Sequence, residues 1–179
     1  MIQVSEHRPI FLWGMMGTGK SSVGRSLAER LGRQFVDLDE AIASRENTEI
    51  EALFVLRGES VFRQLEKDAF TQQLRDGKNK VIALGGGTLL DDELREEARR
   101  NGPIICLNAS IDTLLERLKG SSNRPLLDQD NFRVSLSELR AIRQTSYSDS
   151  DVHINTDDQS VEAVVDGLYN MLMGAEVNR

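Results

Sequence analysis

Residues 14–21 constrain the fold of this 179-residue chain more than any other stretch. They read GMMGTGKS and match the pattern G-x-x-x-x-G-K-[ST]. An apolar run at 10–13 precedes them, and Val23, Leu27 and Leu31 follow at near-helical spacing. Between a strand and a helix, such a loop directs backbone N–H groups and the helix N-terminus at one point, which suits a phosphate. A flexible glycine-rich turn is the alternative, but the pattern and both flanking elements favour a P-loop.

The same loop carries side chains that a nucleotide site requires. Lys20 can place a positive charge at the outer phosphates, and the hydroxyl of Ser21 can ligate Mg²⁺. A P-loop alone does not distinguish a kinase from a GTPase or an ATP-driven motor. The cofactor-binding residues predicted in this segment are Gly14, Met15, Met16, Gly17, Thr18, Gly19, Lys20, Ser21 and Ser22.

Apolar runs of strand length alternate with helical patterns along the rest of the chain. The predicted strands cover residues 10–13, 35–38, 81–84, 104–107 and 152–154. The predicted helices cover residues 20–31, 49–57, 60–75, 92–100, 111–119, 134–147 and 160–173. For the second helix, Thr48 and Glu51 have the spacing of a capping box, and Gly58 marks its end. The alternation predicts an α/β fold whose parallel sheet is covered by helices on both faces.

Composition is that of an ordinary globular protein and disfavours several kinds of partner. The chain is 39% hydrophobic and 28% charged, and its 179 residues suit a single domain, 1–179. A net charge of −7 disfavours broad binding to nucleic acid or to acidic membranes. The single cysteine, Cys106, lies in an apolar run, which favours a core position over a reactive thiol. Because no signal-peptide pattern or membrane-length apolar run is present, we expect a cytoplasmic protein. Nothing in the sequence demands more than a monomer, so we expect a monomer.

Two carboxylates follow the second predicted strand. Asp37 and Asp39 would share one face if the extended geometry continued through both. Ligands of parallel sheets collect at the carboxyl ends of the strands, which is also where the P-loop lies. One carboxylate could therefore hold Mg²⁺ through water while the other accepted a hydroxyl proton. The alternative is that Asp39 only caps a helix beginning at Glu40.

Three glycines at 85–87 and three arginines complete the candidate site. One glycine would suffice for a turn, so three favour a ligand that packs against the backbone over a plain loop. Lone arginines are usually solvated, but beside a P-loop Arg63 and Arg143 become candidates for a bidentate clamp on a carboxylate. Arg124 lies in the least patterned stretch, 120–132, which we predict to be a mobile loop. It is a candidate for neutralising charge on a transferring phosphoryl group.

Five motifs resemble those of the shikimate kinases in order and spacing, over residues 9–173. They are GMMGTGKS, DLD, GESVFR, LGGGT and NRPLL, of which GESVFR combined with the glycine run is specific. The resemblance implies a three-layer P-loop kinase fold, with a five-stranded parallel sheet in the order 2-3-1-4-5 flanked by helices. It also implies a mobile lid at about 120–132 and substrate-binding helices at about 39–75. The implied activity is ATP-dependent phosphorylation of the 3-hydroxyl of shikimate, in aromatic amino acid biosynthesis.

The resemblance implies roles for individual residues. Asp39 would bind the shikimate hydroxyls and help to deprotonate the attacking one. Ser21 would ligate Mg²⁺, which Asp37 would support through water. Lys20 and Arg124 would complete the catalytic set. The residues implied for substrate binding are Asp39, Arg63, Glu66, Gly85, Gly86, Gly87 and Arg143.

Two features depart from the family pattern. Where the family has arginine, any residue and then Pro-Leu-Tyr, this chain has RQTSY, which keeps the tyrosine at Tyr147 and lacks the proline. On the adenine side, the resemblance implies that Arg117 packs on the base and that Asn155 opens an adenine loop at 155–159. That loop lacks the arginine or proline common in the family.

Three other functions stay open at this point. Another small-molecule kinase of the same fold, such as a gluconate kinase, gives no reason for GESVFR together with the glycine run. A regulatory GTPase would carry Asn-Lys-x-Asp, whereas Asn79-Lys80 continues as Val81-Ile82. A non-catalytic nucleotide-binding protein would have no need for Asp39, Arg63 and the glycines together.

Overall fold

Five strands and seven α-helices are found in the described part of the chain. The computed structural model describes residues 8–77, 79–119 and 131–174. The strands are β1 (Ile10–Trp13), β2 (Gln34–Asp37), β3 (Lys80–Ala83), β4 (Ile104–Asn108) and β5 (Val152–Asn155). The helices are α1 (Lys20–Leu31), α2 (Leu38–Glu46), α3 (Ile50–Arg75), α4 (Asp92–Asn101), α5 (Ile111–Leu118), α6 (Phe132–Ser148) and α7 (Val161–Met173), with a 3₁₀ turn at Thr88–Leu90.

The strands form one parallel sheet in the order β2-β3-β1-β4-β5. The predicted fold class and strand order are therefore confirmed. β1 is the central strand, in which Leu12 pairs with Ala83 of β3 and Trp13 pairs with Cys106 of β4. Because all strands run in the same direction, the P-loop and the glycine run leave the sheet at one edge. The candidate site lies at this edge.

Apolar cores cover both faces of the sheet. Successive side chains of β1 point to opposite faces, so Ile10 and Leu12 pack with α1 and α7. Phe11 and Trp13 pack on the other face with residues of α2 to α6. Cys106 is fully buried on that second face, and burial raises the pKa of its thiol to about 11. The expectation that Cys106 is a core residue is confirmed.

The start of α2 differs from the sequence expectation. β2 ends at Asp37, so the extended geometry does not continue to Asp39, which lies in the first turn of the helix. The carboxylate of Asp37 accepts hydrogen bonds from the N–H groups of Asp39 (3.1 Å) and Glu40 (3.3 Å). Asp37 is therefore the N-cap, and the alternative in which Asp39 caps a helix beginning at Glu40 is wrong.

The predicted helices at 49–57 and 60–75 are the two arms of the kinked helix α3. Gly58 interrupts the helical geometry with φ 81° and ψ 166°, a backbone conformation that residues with a Cβ rarely adopt. The predicted capping box is wrong, because the N-cap is Glu49 and its side chain makes no capping hydrogen bond. The hydroxyl of Thr48 instead donates to the carbonyl of Glu46 at 3.0 Å. The backbone turn before α3 leaves Thr48 outside the capping position.

The other predicted strands and helices agree with the structure to within two residues at each end. Within the ranges that the structure describes, no helix is both long enough and apolar enough to cross a membrane. Most of the predicted lid, 120–132, and the loose ends predicted at 1–8 and 175–179 lie outside the described residues, with only 8, 131 and 132 inside them.

Gly102, which separates α4 from β4, provides a test of this packing. A Cβ at this position would overlap the backbone carbonyl of Pro9, which cannot move aside as a flexible side chain can. We expect Gly102→Ala to lower the free energy of unfolding by about 1–3 kcal/mol, the range for overpacking. The measurement is urea denaturation followed by circular dichroism.

Gly167 in α7 is the matched control, because a Cβ there would meet no atom within 4 Å. Gly167→Ala should leave the stability unchanged or raise it by up to about 1 kcal/mol, since alanine favours a helix over glycine. Equal urea midpoints for the two variants would contradict the close approach of Gly102 to Pro9.

Candidate active site

A cavity of about 680 Å³ opens at the carboxyl edge of the sheet and joins most of the predicted site residues. At one end its lining includes Met16, Gly17, Thr18, Gly19, Lys20, Ser21 and Ser22. At the other end its lining includes Asp39, Arg63, Glu66, Gly85, Gly86, Gly87 and Arg143. Asp37 and Arg117 also line it, whereas Gly14, Met15 and Asn155 are not among its lining residues. Arg124 falls outside the described residues.

The P-loop folds around its own lysine. The ammonium group of Lys20 donates to the carbonyl oxygens of Gly14 (3.0 Å) and Met15 (2.9 Å). The hydroxyl of Thr18 donates to the same carbonyl of Met15 at 2.8 Å. Gly14 and Met15 therefore contribute carbonyl groups that position Lys20, although they do not line the cavity. The positive charge is held at the point on which the loop and the N-terminus of α1 converge.

Ser21 and Asp37 form the pair that could support a metal ion. The Ser21 hydroxyl donates to Asp37 Oδ2 at 2.5 Å, while Asp37 Oδ1 caps α2. Among the described residues, no group of three His, Cys, Asp or Glu side chains is placed to hold a metal ion. A hydroxyl and a carboxylate supply the hard oxygen ligands that Mg²⁺ prefers, and the ion commonly completes its shell with water and phosphate oxygens. Ser21 and Asp37 therefore fit a Mg²⁺ site that the protein would share with water and phosphate oxygens.

Arg63 is held by two carboxylates of different exposure. It donates to Glu59 at 2.9 Å and also to Glu66, whose side chain is only 2% exposed. The other oxygen of Glu66 accepts from the Thr88 hydroxyl at 2.8 Å. Burial alone would lower the pKa of Arg63, but the charges and hydrogen bonds of Glu66 and Glu59 outweigh it and raise that pKa. The guanidinium is therefore a fixed positive charge in the cavity wall.

The glycine run leaves space for these charged side chains. A Cβ on Gly85 would lie 2.5 Å from Glu66 Oε1, and one on Gly86 would lie 2.9 Å from Arg143 Nη1. A Cβ on Gly87 would overlap the guanidinium of Arg63. Side chains from α3 and α6 thus pack against the bare backbone, which is the reason for three glycines in succession. The approach of a ligand to the same backbone stays a prediction.

Helix α6 presents Arg143 and Tyr147 on one face, four positions apart. Both are almost fully buried, with 3% and 2% of their surface exposed. The Tyr147 hydroxyl donates to the carbonyl of Gly86 at 2.9 Å. Because Thr145 stands where the family pattern has proline, α6 continues without interruption to Ser148. The missing proline therefore leaves Arg143 directed at the glycine run.

Arg117 and Thr156 connect the P-loop to the loop after β5. Arg117 donates to the carbonyl of Gly17 (3.3 Å) and to both the carbonyl (2.6 Å) and the hydroxyl (2.9 Å) of Thr156. The Thr156 hydroxyl also lies 3.2 Å from the carbonyl of Thr18. Asn155 does not line the cavity, and its side chain accepts a hydrogen bond from the N–H of Asp157 at 2.8 Å. Sequence reasoning placed Thr156 within the predicted adenine loop, 155–159, but gave its side chain no role of its own. Its position directly after a strand at this edge was the available sign.

Comparison with known proteins identifies the family. A family model described as Shikimate kinase matches residues 16–173 of this chain. The chain belongs to the shikimate kinase family. Among curated shikimate kinases, that of Geobacter sulfurreducens is 42% identical over 161 residues, covering 90% of this chain and 88% of the relative. That of Persephonella marina is 40% identical over 165 residues, covering 92% of this chain and 99% of the relative.

Solved structures agree with the family assignment. Shikimate kinase from Acinetobacter baumannii in complex with shikimate superposes with a TM-score of 0.90 at 31% identity, covering 96% of each chain. A gluconokinase from Sinorhizobium meliloti gives a TM-score of 0.57 at 17% identity, covering 97% of this chain and 98% of that one. At 17% identity, the gluconokinase shows only that the fold is shared. The shikimate kinases combine the shared fold with much higher sequence identity over most of the chain.

The two carboxylate partners of Arg63, Glu66 and Glu59, allow a matched test of how much each contributes to stability. Glu66→Gln removes the buried charge but keeps an oxygen for Thr88, so Arg63 loses its buried partner. We expect a loss of about 1–3 kcal/mol in the free energy of unfolding, as for a hydrogen bond to a charged group. Glu59→Gln changes the exposed partner and should cost less than about 1 kcal/mol. Urea denaturation measures both variants, and equal losses would contradict the dominant role of Glu66.

Proposed function

We propose that this chain transfers the γ-phosphoryl group of ATP to the 3-hydroxyl of shikimate, which gives shikimate 3-phosphate in aromatic amino acid biosynthesis. The observation that carries the proposal is one cavity with a P-loop at one end and Arg63, Arg143 and Asp39 at the other. The first end suits a triphosphate, and the second suits a small hydroxylated carboxylate. That the chain acts as a cytoplasmic monomer, without nucleic-acid or membrane partners, stays a prediction.

At the nucleotide end, we assign Lys20 and the P-loop N–H groups to the phosphates of ATP. On binding, Lys20 would exchange its hydrogen bonds with the carbonyls of Gly14 and Met15 for phosphate oxygens. Mg²⁺ would be held by Ser21, with Asp37 behind it, and would supply positive charge to the transferring group. Arg117 and Thr156, which are hydrogen-bonded to each other and to the P-loop, would form the support beneath the base.

At the substrate end, the ligand would be held by its carboxylate and its hydroxyls. Arg63 and Arg143 would bind the carboxylate, with the N–H groups of Gly86 and Gly87 as further donors. Asp39 would accept a hydrogen bond from the attacking hydroxyl. Phe54 and Phe62 also line the cavity and lie with their ring centroids 4.4 Å apart. This apolar wall suits the carbon ring of shikimate better than the extended chain of a sugar acid.

The chemistry then depends on position and charge rather than on covalent steps. The hydroxyl at Asp39 must lie in line behind the γ-phosphorus, and the positions of the two ends of the cavity would set that alignment. Lys20 would stabilise the developing charge. We assign Arg124 to the same charge and to a lid that excludes water as a competing acceptor.

Substitution of Lys20 tests the nucleotide end. Lys20→Ala removes the cation at the β- and γ-phosphates, so we expect kcat to fall on the order of 10²-fold or more. The measurement is ADP release in a coupled assay with shikimate. Lys67→Ala, which removes an exposed lysine of α3 that forms a weak 3.5 Å pair with Glu93, is the control and should retain wild-type activity. A Lys20→Ala variant of near-normal activity would contradict the phosphate site.

Substitution of Arg63 tests the identity of the substrate. Arg63→Ala should weaken shikimate binding by about 2–5 kcal/mol, the range for truncating one partner of a buried charged pair. Arg63→Lys should recover little, because an ammonium cannot reproduce the planar two-pronged contact. Calorimetry of wild type and variant with shikimate, and with an analogue lacking the carboxylate, gives the coupling energy.

Two controls accompany that cycle. ATP binding should be unchanged in Arg63→Ala, because the nucleotide end does not include Arg63. Arg57→Ala removes an arginine of the same helix that pairs with Glu46 at 2.7 Å, and it should leave shikimate affinity unchanged. A coupling energy near zero between Arg63 and the substrate carboxylate would remove the main residue-level reason for preferring shikimate.

A further inference from the structure

Tyr147 contacts the glycine run and the strand residue that directly precedes the P-loop. Its hydroxyl donates to the carbonyl of Gly86 at 2.9 Å, within the glycine run. Its ring meets that of Trp13 edge-on, with centroids 4.7 Å apart and an interplanar angle of 80°. Trp13 is the last residue of β1 and directly precedes the P-loop. One buried side chain therefore joins the phosphate end of the site to its carboxylate-binding end.

The contact with Gly86 also sets the direction of a neighbouring donor. The carbonyl of Gly86 and the N–H of Gly87 belong to one planar peptide unit, and the described peptides are all trans. In a trans peptide these two groups point in opposite directions, so a fixed carbonyl directs the Gly87 N–H away from Tyr147. No backbone carbonyl of the described residues accepts from the N–H of Gly86 or Gly87. Both residues line the cavity.

Arg143 lies beside the same glycine, Gly86, that accepts the hydrogen bond from Tyr147. A Cβ on Gly86 would lie 2.9 Å from Arg143 Nη1 and 3.4 Å from the Tyr147 hydroxyl, so the two side chains flank this glycine. The end of α6 is fixed by Arg95, which donates to Asp149 at 3.0 Å and to the carbonyl of Leu89 at 2.7 Å. Arg95 thus ties the C-terminal end of α6, two residues after Tyr147, to the turn that follows the glycine run.

We propose that Tyr147 is a positioning residue for the substrate carboxylate, which it serves by fixing the Gly86–Gly87 peptide and Arg143 relative to the P-loop. The proposal rests on the proposed function. Tyr147 touches none of the reacting groups, so its effect falls on substrate affinity rather than on phosphoryl transfer. Burial raises the pKa of Tyr147 to about 12, which keeps the phenol protonated and able to donate at neutral pH.

The test is Tyr147→Phe, which keeps the ring against Trp13 and removes only the donor. We expect the KM for shikimate to rise about three- to tenfold, the equivalent of one neutral hydrogen bond. The kcat and the KM for ATP should stay within about twofold of wild type, a split that a general loss of packing would not produce. Tyr147→Met, which fills the space without a donor, provides the same test if the phenylalanine variant does not fold.

Tyr169→Phe is the matched control, because it alters the other tyrosine of the chain, which lies in α7 and stacks on Arg30 of α1. It should leave every kinetic constant unchanged. A second arm uses a shikimate analogue with a hydroxymethyl group in place of the carboxylate. Wild type and Tyr147→Phe should bind this analogue equally weakly, since the group that Tyr147 helps to place is missing.

The remaining outcomes separate this proposal from the proposed function. An unchanged KM for shikimate in Tyr147→Phe would overturn the positioning role, as would an equal loss with shikimate and with the analogue. If the wild-type protein did not transfer phosphate from ATP to shikimate at all, the proposed function itself would fail.

Discussion

The pairing of β1 with β3 on one side and β4 on the other is the constraint on which the site depends. Parallel hydrogen bonding fixes the register of the three strands, so their carboxyl ends lie at the same edge of the sheet. The P-loop begins directly after β1, and the glycine run follows β3 by one residue. The approach is so close that a Cβ on Gly14 would overlap the carbonyl oxygen of Leu107 in β4. The two ends of the cavity therefore have a fixed separation, which an in-line transfer requires.

The unequal partners of Arg63 suggest how an anionic substrate could be accepted without leaving a buried charge unpaired. Glu66 is buried and also bound to Thr88, so it keeps the guanidinium in place. Glu59 is 57% exposed, and such surface pairs are weak. If Arg63 binds the substrate carboxylate as proposed, that carboxylate would displace Glu59 while Glu66 stays. Arg63 would then have a charged partner in both states, and the exchange would cost little.

The sequence predicted features that depend on local pattern or on a distinctive motif. The P-loop, the strands and most of the helices depend on neighbouring residues, so their positions were predicted to within two residues. The strand order came from the resemblance to shikimate kinases, because no local pattern specifies which strands pair. Helix α2 was hard to delimit, since it is short and buries only Leu38 and Ile42.

Contacts between distant segments could not be predicted in the same way. Thr156 belongs to the site because β5 brings it within 3.2 Å of Thr18, 138 residues earlier in the chain. The three glycines were interpreted as space for a ligand, whereas side chains of α3 and α6 fill much of it. The capping alternative at Asp39 and the predicted capping box at Thr48 were wrong, because each depends on where the chain turns, which a single residue type does not determine.

The central place of β1 has a consequence for the order in which the protein can fold as it is made. β1 leaves the ribosome first, yet both of its neighbours are encoded far downstream, with Ile10 facing Val81 and Phe11 facing Ile104. At about 5–20 residues per second, roughly 5–20 s of synthesis separates β1 from β4. Until β3 is made, four wholly apolar residues, 10–13, have no adjacent strand to pair with. The strand that anchors the finished site is therefore an unpaired apolar segment early in translation, which makes it prone to aggregation.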